Sequence, residues 1–451
     1  MKKVDFDHGK LTQNILQTAL PLFVAQVLSL LYSIVDRVYI GRIPGSGTQA
    51  LGAIGLCFPI IILIAGFTNM FGMGGAPLYA MELGKGDHEK ARQIQNTAFR
   101  LLLIIAVVIL VMGEAAGKPL LRLFGATPAE IPASLSYLRI YLLGTPALML
   151  CTGLNPYINA QGYSLVSMLS VGAGAVANLI LDPLFIFGLG MEIRGAALAT
   201  VLSQILAMGI TLQFFMGKQN EHPLHFAFRF PFAWDIVSLG TAPFIMQVTN
   251  SLVQIACNNV LMQFGGAAFV SVMTIVSSVR SILDVPVMAL TEGASPIISY
   301  NYGARRPRKV KGAMKFTILI SFAYTLFVWA VLFFHPRFFV RIFSSDESLM
   351  QSGSRALHLY FYAFIFQSLQ YSGQMVFKAL NKRGKAIFFS LLRKAVLVVP
   401  LTFLLPHLFG LGTDGVFLAE PISNVIGGTA CFVTMLATVL PELDRMEKTK
   451  R

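Results

Sequence analysis

Charge is what this sequence has least of. Only 12% of its 451 residues are Asp, Glu, Lys or Arg, about half the usual share of a soluble domain. That excludes a soluble enzyme and a charged, disordered chain alike. Cysteine is scarce too. Cys57, Cys151, Cys257 and Cys431 lie far apart in apolar stretches, so there is no disulfide framework and no CxxC metal spacing, and they read as small hydrophobes. Among seven histidines only His222 and His225 are neighbours, in a polar loop without a second ligand pair, which does not make a zinc site. No HExxH, DDxxD, GxSxG or Walker A segment occurs. Gly72-x-Gly-Gly follows no strand and reads as helix packing, not as a phosphate loop. Neither catalytic residues nor a cofactor are expected, and no enzyme.

What is there is apolar. Hydrophobic residues make up 55% of the chain and the mean hydropathy is +0.68. At about 20 residues per membrane-crossing helix, this supplies roughly twelve spans. Met1–Lys10 is short, polar and mildly basic, and no small-residue cleavage site follows, so the first apolar run reads as a retained span. Charge-free runs then recur at Leu11–Val35, Ile43–Met81, Ile140–Leu181, Gly195–Gly217, Ile236–Val279, Phe316–Pro336, Ala356–Phe377, Ala395–Thr413 and Pro421–Pro441. The two longest divide at Asn159-Ala-Gln-Gly-Tyr-Ser164 and at Gly265-Gly266, both turn-forming segments. With spans around Ile94–Gly117 and Val285–Tyr300 these segments number thirteen, one above the twelve spans expected. The fold class is therefore an all-α integral membrane protein, because a spanning backbone must satisfy its own hydrogen bonds.

The surplus of +14 sits in one set of loops. With the N-terminus inside, 22 Lys and Arg fall on the inner side, against six outside (Arg42, Lys118, Arg122, Arg194, Arg337 and Arg341). The inner set includes Lys2, Lys218, the Arg305–Lys315 cluster, Lys450 and Arg451. This asymmetry places both termini in the cytoplasm, and the plasma membrane is the expected location. The basic excess then belongs to cytoplasmic loops, and no nucleic-acid partner is expected.

The chain also repeats itself. Thr18-Ala-Leu-Pro21 matches Gly240-Thr-Ala-Pro243, and Pro77…Gly84 matches Pro296…Gly303. Arg122-Leu-Phe124 matches Arg341-Ile-Phe343, and Gly195…Ala199 matches Gly415…Ala419. The offsets stay between 219 and 222. Two six-helix bundles, 1–217 and 235–451, joined by a cytoplasmic linker at 218–234, form the expected domain layout. An even number of spans per half makes the halves parallel, as in alternating-access carriers, with cargo between them.

An ionisable group at mid-bilayer costs roughly 2.5–3.5 kcal/mol on insertion scales, so Asp36 and Asp182 need a reason. Asn178 lies one helical turn before Asp182, and Ala196 one turn before Thr200. Counted from the span ends at 1.5 Å per residue, Asp36, Asp182 and Thr200 all sit about 7–9 Å below the outer surface. Two carboxylates, an amide and a hydroxyl at one depth suit Na⁺, and two close carboxylates equally suit a proton. The alternatives are that Asp36 pairs with Arg37 or reaches the interface, and that Asn178 and Thr200 only pack helices. The second half does not copy this pattern: Asn258 stands where Asp36 would, and Glu420 where Thr200 would. Arg280, Asp284, Glu292 and Glu420 are the substrate-cavity candidates there, the acids facing a cationic cargo, with Arg280, Arg393 and Lys394 lining the cavity or neutralising them.

These segments resemble the multidrug and toxic compound extrusion (MATE) family of cation-coupled antiporters, in the branch common in Gram-positive bacteria. The carrying stretches are Ile34-Val-Asp36-Arg-Val-Tyr-Ile-Gly41, Ala177-Asn-Leu-Ile-Leu-Asp182-Pro, Gly195-Ala-Ala-Leu-Ala-Thr200 and Glu292-Gly-Ala-Ser-Pro-Ile-Ile-Ser-Tyr-Asn-Tyr-Gly303. The resemblance implies export of amphipathic, often cationic, organic compounds in exchange for Na⁺ or H⁺ by a chain expected to act as a monomer. It also implies cation ligation by Asp36, Asn178, Asp182, Thr200 and the carbonyl of Ala196. No acid stands on the seventh span, where some members bind a second ion. A flippase for a lipid-linked precursor, of the same superfamily, is the alternative.

Overall fold

The computed structural model describes residues 3–217, 220, 222–225, 227–343, 346–408 and 410–449. Of the basic residues counted on the inner side, Lys2, Lys218, Lys450 and Arg451 lie outside them. Each long apolar run becomes a helix, the only open-ended element that satisfies its backbone without water. In chain order these are α1 (Leu11–Gly41), α2 (Gly47–Lys85), α3 (His88–Leu123), α4 (Ile131–Leu143), α5 (Thr145–Ala160), α6 (Ser164–Pro183) and α7 (Glu192–Met216). Then follow α8 (Ala233–Gly303), α9 (Pro307–Phe334), α10 (Pro336–Arg341), α11 (Glu347–Phe361), α12 (Ile365–Ala379), α13 (Arg383–Leu391), α14 (Val399–Leu404), α15 (Thr413–Ser423) and α16 (Thr429–Thr449). Three π-helical turns interrupt the series, at Leu184–Gly188, Leu392–Val398 and Asn424–Gly428.

Among the described residues, nine stretches are individually long and apolar enough to cross a membrane. One of them, α8, is two helices broken at Gly266, whose φ of 68° and ψ of −167° suit glycine alone. A further span is α4 with α5, bent by 51°, and another is α11 continued by α12, whose buried Gln367, Gln370 and Gln374 lower its hydropathy. The total is the expected twelve. Both expected breaks are present: α5 ends at Ala160 and α6 begins at Ser164, with Gly162 at φ 87°. One expectation changes. Val285–Tyr300 is no separate span but the continuation of α8, because Arg280 and Asp284, one turn apart, bind each other (Nε–Oδ2 3.3 Å) and do not end the helix.

The chain divides into two compact units, Leu20–Gly240 with Met1–Asp5, and Thr241–Arg451 with Phe6–Ala19. The first is packed around Tyr79, Leu102, Leu138, Tyr157 and Phe215, the second around Val272, Val276, Phe361 and Phe417, all buried. The polar connection expected at 218–234 is strapped to the first unit. His222 is buried and shares a hydrogen bond with Tyr79 (Nδ1···OH 2.9 Å), and its carbonyl accepts from Gln95 (2.6 Å). Arg100 donates to the carbonyls of His225 and Arg229. At the start of α3, Asp87 accepts from the backbone N–H of Lys90 (3.0 Å), an N-cap. The hydrogen-bonded Lys90 side chain holds this carboxyl below its ordinary range.

Both units use glycine at the hairpin before their last span. A Cβ on Gly195 would meet the backbone of Phe185 at 2.8 Å, and one on Gly415 that of Leu405 at 2.6 Å. Gly195→Ala and Gly415→Ala are therefore expected to cost about 1–3 kcal/mol by overpacking, read as a lower melting temperature of the purified protein. Gly209, mid-helix with open space beside it, should hold or gain stability as Ala, by up to about 1 kcal/mol of helix propensity.

Candidate functional site

In the first unit the helical repeat stacks the polar residues in turns. Tyr32 lies one turn before Asp36 on α1, Asn178 one turn before Asp182 on α6, and Ala196, Thr200 and Gln204 follow each other on α7. The structure brings α1 and α6 together at the acids. The carboxyls of Asp36 and Asp182 lie within interaction range of one another, and Asn178 donates from Nδ2 to Asp182 Oδ1 (3.2 Å). Asp182 is 0% exposed. The buried oxygens Asp36 Oδ1, Asp182 Oδ2 and Asn178 Oδ1 have no hydrogen-bond partner among the described residues.

One turn from the acids, which do not line it, lies a largely apolar cavity of about 80 Å³, where Tyr32, Asn178, Thr200, Ser203 and Gln204 stand among residues such as Leu148, Val171 and Ala207. A water needs at least about 10–15 Å³ on this measure, so there is room for a small hydrated ion. The Thr200 hydroxyl donates to the carbonyl of Ala196 (3.0 Å), which leaves its oxygen free to accept or to ligate. Arg37 offsets the pair only in part, through an electrostatic interaction with Asp36. Its side chain is exposed and its guanidinium lies 5.9 Å from the centre of the Phe58 ring. Two carboxylates about 4 Å apart repel by about 4 kcal/mol at an effective dielectric near 20. Such a pair gains most from a cation held between them.

In the second unit the charges are arranged the other way. Glu420 Oε1 receives Arg280 Nη1 (2.7 Å), Arg393 Nη1 (2.9 Å) and Lys394 Nζ (3.0 Å). Asp284 is met by Arg280, by Gln367 Nε2 (2.7 Å) and by the Tyr371 hydroxyl (3.2 Å). Tyr360 accepts from Arg280, and Asn424 accepts from Arg393 Nη1 (2.8 Å). Lys378 interacts electrostatically with Glu292. The basic groups thus neutralise these acids, and Glu420 has no charge left to offer a cationic cargo. Asn258, in the place of Asp36, accepts from Gln254 Nε2 (3.2 Å) in an uncharged pair.

Sequence reasoning missed Tyr32 and Gln204 beside the first acids, and Asn424, Tyr360, Tyr371 and Gln367 in the second cluster. A signal existed for three of them: Tyr32, Gln204 and Asn424 each lie four residues from a nominated residue, hence on the same helical face. The others come from helices far away in sequence.

The MatE family model matches this chain twice, at residues 21–184 and 243–404, and so finds the internal repeat, beginning at the Pro21/Pro243 pair. The chain is 25% identical to the multidrug export protein MepA of Staphylococcus saprophyticus, over 98% of this chain and 96% of that one. It is 26% identical to an FAD transporter of Shewanella oneidensis, over 94% and 95%. Among solved structures it shares its fold with a MATE protein in complex with MaL6 (TM-score 0.91, 22% identity, 99% and 100% of the two chains). The outward-facing form of a multidrug resistance MATE transporter is equally similar in fold (TM-score 0.90, 22% identity, 99% of both chains).

The two charge arrangements predict opposite responses to neutralisation. Glu420→Gln leaves the buried Arg393 and Lys394 without their carboxylate and Arg280 with Asp284 alone, a loss of about 3–5 kcal/mol, and should lower the melting temperature sharply. Asp182→Asn removes one of two adjoining carboxyls and should leave the melting temperature unchanged or raised in Na⁺-free buffer. Equal destabilisation by both would contradict the charge balance described.

Proposed function

The chain belongs to the MATE family of membrane transporters, and on that footing we propose that it is a cation-coupled antiporter of the plasma membrane, exporting amphipathic organic compounds, organic cations among them, in exchange for Na⁺ or H⁺. The observation that carries this reading is the adjoining pair of Asp36, half-buried, and Asp182, buried, which only the exposed Arg37 offsets, with Asn178 one turn away. A bound cation removes the repulsion between the carboxyls and gives their orphaned oxygens a partner, so occupancy changes the free energy of the bundle. An ion that binds one arrangement of the helices better than another biases the equilibrium between them, and by linkage the affinity for cargo. That differential is all that coupling requires.

Each residue has a role in this scheme. Asp36 and Asp182 supply the charge, Asn178 orients Asp182 and offers its amide oxygen, and Thr200 with the Ala196 carbonyl completes an oxygen shell from α7. Hard oxygen ligands suit Na⁺, and the same carboxyl pair holds a single proton equally well. In both cases α1, α6 and α7 respond to one ion, because all three contribute to one cavity. Both termini and the basic loops face the cytoplasm on this reading, and one chain is the working unit.

The test is dye efflux from proteoliposomes holding the full chain, with Na⁺ and pH gradients imposed separately. Asp36→Asn and Asp182→Asn are each expected to abolish gradient-driven efflux of an ethidium-type dye while inserting normally. Asn178→Ala and Thr200→Ala should weaken the apparent affinity for the driving ion by roughly 10–100-fold, as for a lost hydrogen bond or ligand to a charged group. Normal efflux in both acid variants would eliminate the site. Translocation of a labelled lipid precursor that dye does not inhibit would instead favour a flippase.

A further inference from the structure

The cluster in the second unit has more cations and more hydrogen-bond donors than its acids can use. Arg280, Arg393 and Lys394 face two carboxylates, Asp284 and Glu420, so one positive charge has no partner. The donors tell the same story. Each guanidinium carries five N–H groups and the ammonium three. Arg393 uses only Nη1, for Glu420 and Asn424. Its Nε and Nη2 make no hydrogen bond among the described residues, and its side chain keeps 6% exposure. The Nη2 of Arg280 is likewise unmatched, since Nε goes to Asp284 and Nη1 to Glu420 and Tyr360. The third proton of Lys394 is unmatched too, since two bonds go to Glu420.

The backbone is shaped to hold these groups together. Arg393 and Lys394 are adjacent residues, which diverge on an ordinary α-helix, yet both reach one carboxylate. They sit in the π-helical turn Leu392–Val398, and Asn424 begins the facing one, Asn424–Gly428. Such turns occur frequently at functional sites. The cluster is closed on one side and open on the other. Arg393, Lys394 and Glu420 are sealed, while the side chains of Arg280 and Asp284 keep 16% and 11% exposure.

We propose that this cluster is a binding site for an anionic oxygen group, a carboxylate or a phosphate, carried by the exported compound. The anion supplies the missing negative charge, accepts from Arg393 and Arg280 in the forked geometry guanidinium favours, and enters from the Arg280 side. Asp284 and Glu420 hold the cations in place and prevent an isolated buried positive charge while the site is empty. The assignment of the anion to a cargo rests on the export reading above. It predicts a transporter that prefers zwitterionic or acidic amphipaths to their esters.

The test compares a xanthene dye bearing a free carboxylate with its methyl ester, binding to the full chain in phosphatidylcholine nanodiscs, by fluorescence anisotropy. We expect the acid to bind at least tenfold tighter than the ester. Arg393→Gln should cut that preference at least tenfold, and Arg393→Lys should restore part of it. Because the preference is read first on the unmodified protein, misfolding of a variant does not remove the test. Equal binding of acid and ester, or an unchanged preference in Arg393→Gln, overturns the site. Displacement of the acid by phosphatidylglycerol in the nanodisc, or by millimolar inorganic phosphate, overturns its assignment to a cargo. In proteoliposomes, export of both dyes without an acid preference in binding fails the site alone. An acid preference in binding with no gradient-driven export of either dye fails the export reading and leaves the anion site standing.

Discussion

A charge held where water is scarce must be met by an opposite charge or by hydrogen bonds, and this one constraint decides what each bundle is suited to do. The first bundle breaks the rule in the negative direction. Asp36 and Asp182 adjoin each other with only the exposed Arg37, beside Phe58, to offset them. The second breaks it in the positive direction, with three cations around two acids. An unmet charge in a low dielectric is a standing demand for a mobile ion of the other sign. The demands are opposite and lie in separate units, so a coupling cation and an acidic group on a cargo need not compete for the same ligands.

Both arrangements are assembled by the same device, the stacking of residues four apart on a helix. Tyr32 and Asp36, Asn178 and Asp182, and Thr200 and Gln204 build the first site in two levels: the acids, and one turn away a largely apolar cavity with a few neutral polar groups. Arg280 with Asp284, and Glu420 with Asn424, do the same in the second. The π-helical turns add what this spacing lacks. By widening the helix at Leu392–Val398 they let neighbouring residues converge on one acceptor, and the turn at Leu184–Gly188 lies immediately beyond Asp182 and Pro183.

This explains which features were legible from the sequence. Breaks at Gly162 and Gly266 were readable because a turn leaves a local chemical mark. Asp36, Asn178, Asp182 and Thr200 stood out because polar residues in an apolar run are costly, and counting from the span ends put them at one depth. Val285–Tyr300 was misjudged as a span of its own because Arg280 and Asp284 look like the polar end of a helix in one dimension. Only in three dimensions do they cancel. The sign of the second cluster was hidden for a similar reason. Arg393 and Lys394 belong to α13's continuation and Glu420 to α15, and no local pattern announces a π-helical turn or says which of several acids a cation will choose.

The duplication shows how far the two kinds of constraint are separable. Gly195 and Gly415, 220 residues apart, each admit the preceding hairpin's backbone where any side chain would collide, and this steric condition holds in both copies. The electrostatic condition does not. Between the copies Asp36 gives way to Asn258, whose partner Gln254 is neutral, and Thr200 gives way to Glu420, which binds three cations. Packing is shared along the whole length of a helix and tolerates few exchanges. A site's charge is set by a handful of side chains at one level, provided the bundle around them supplies the compensation. A repeated scaffold of this kind can therefore keep one architecture while its halves acquire charge sites of opposite sign.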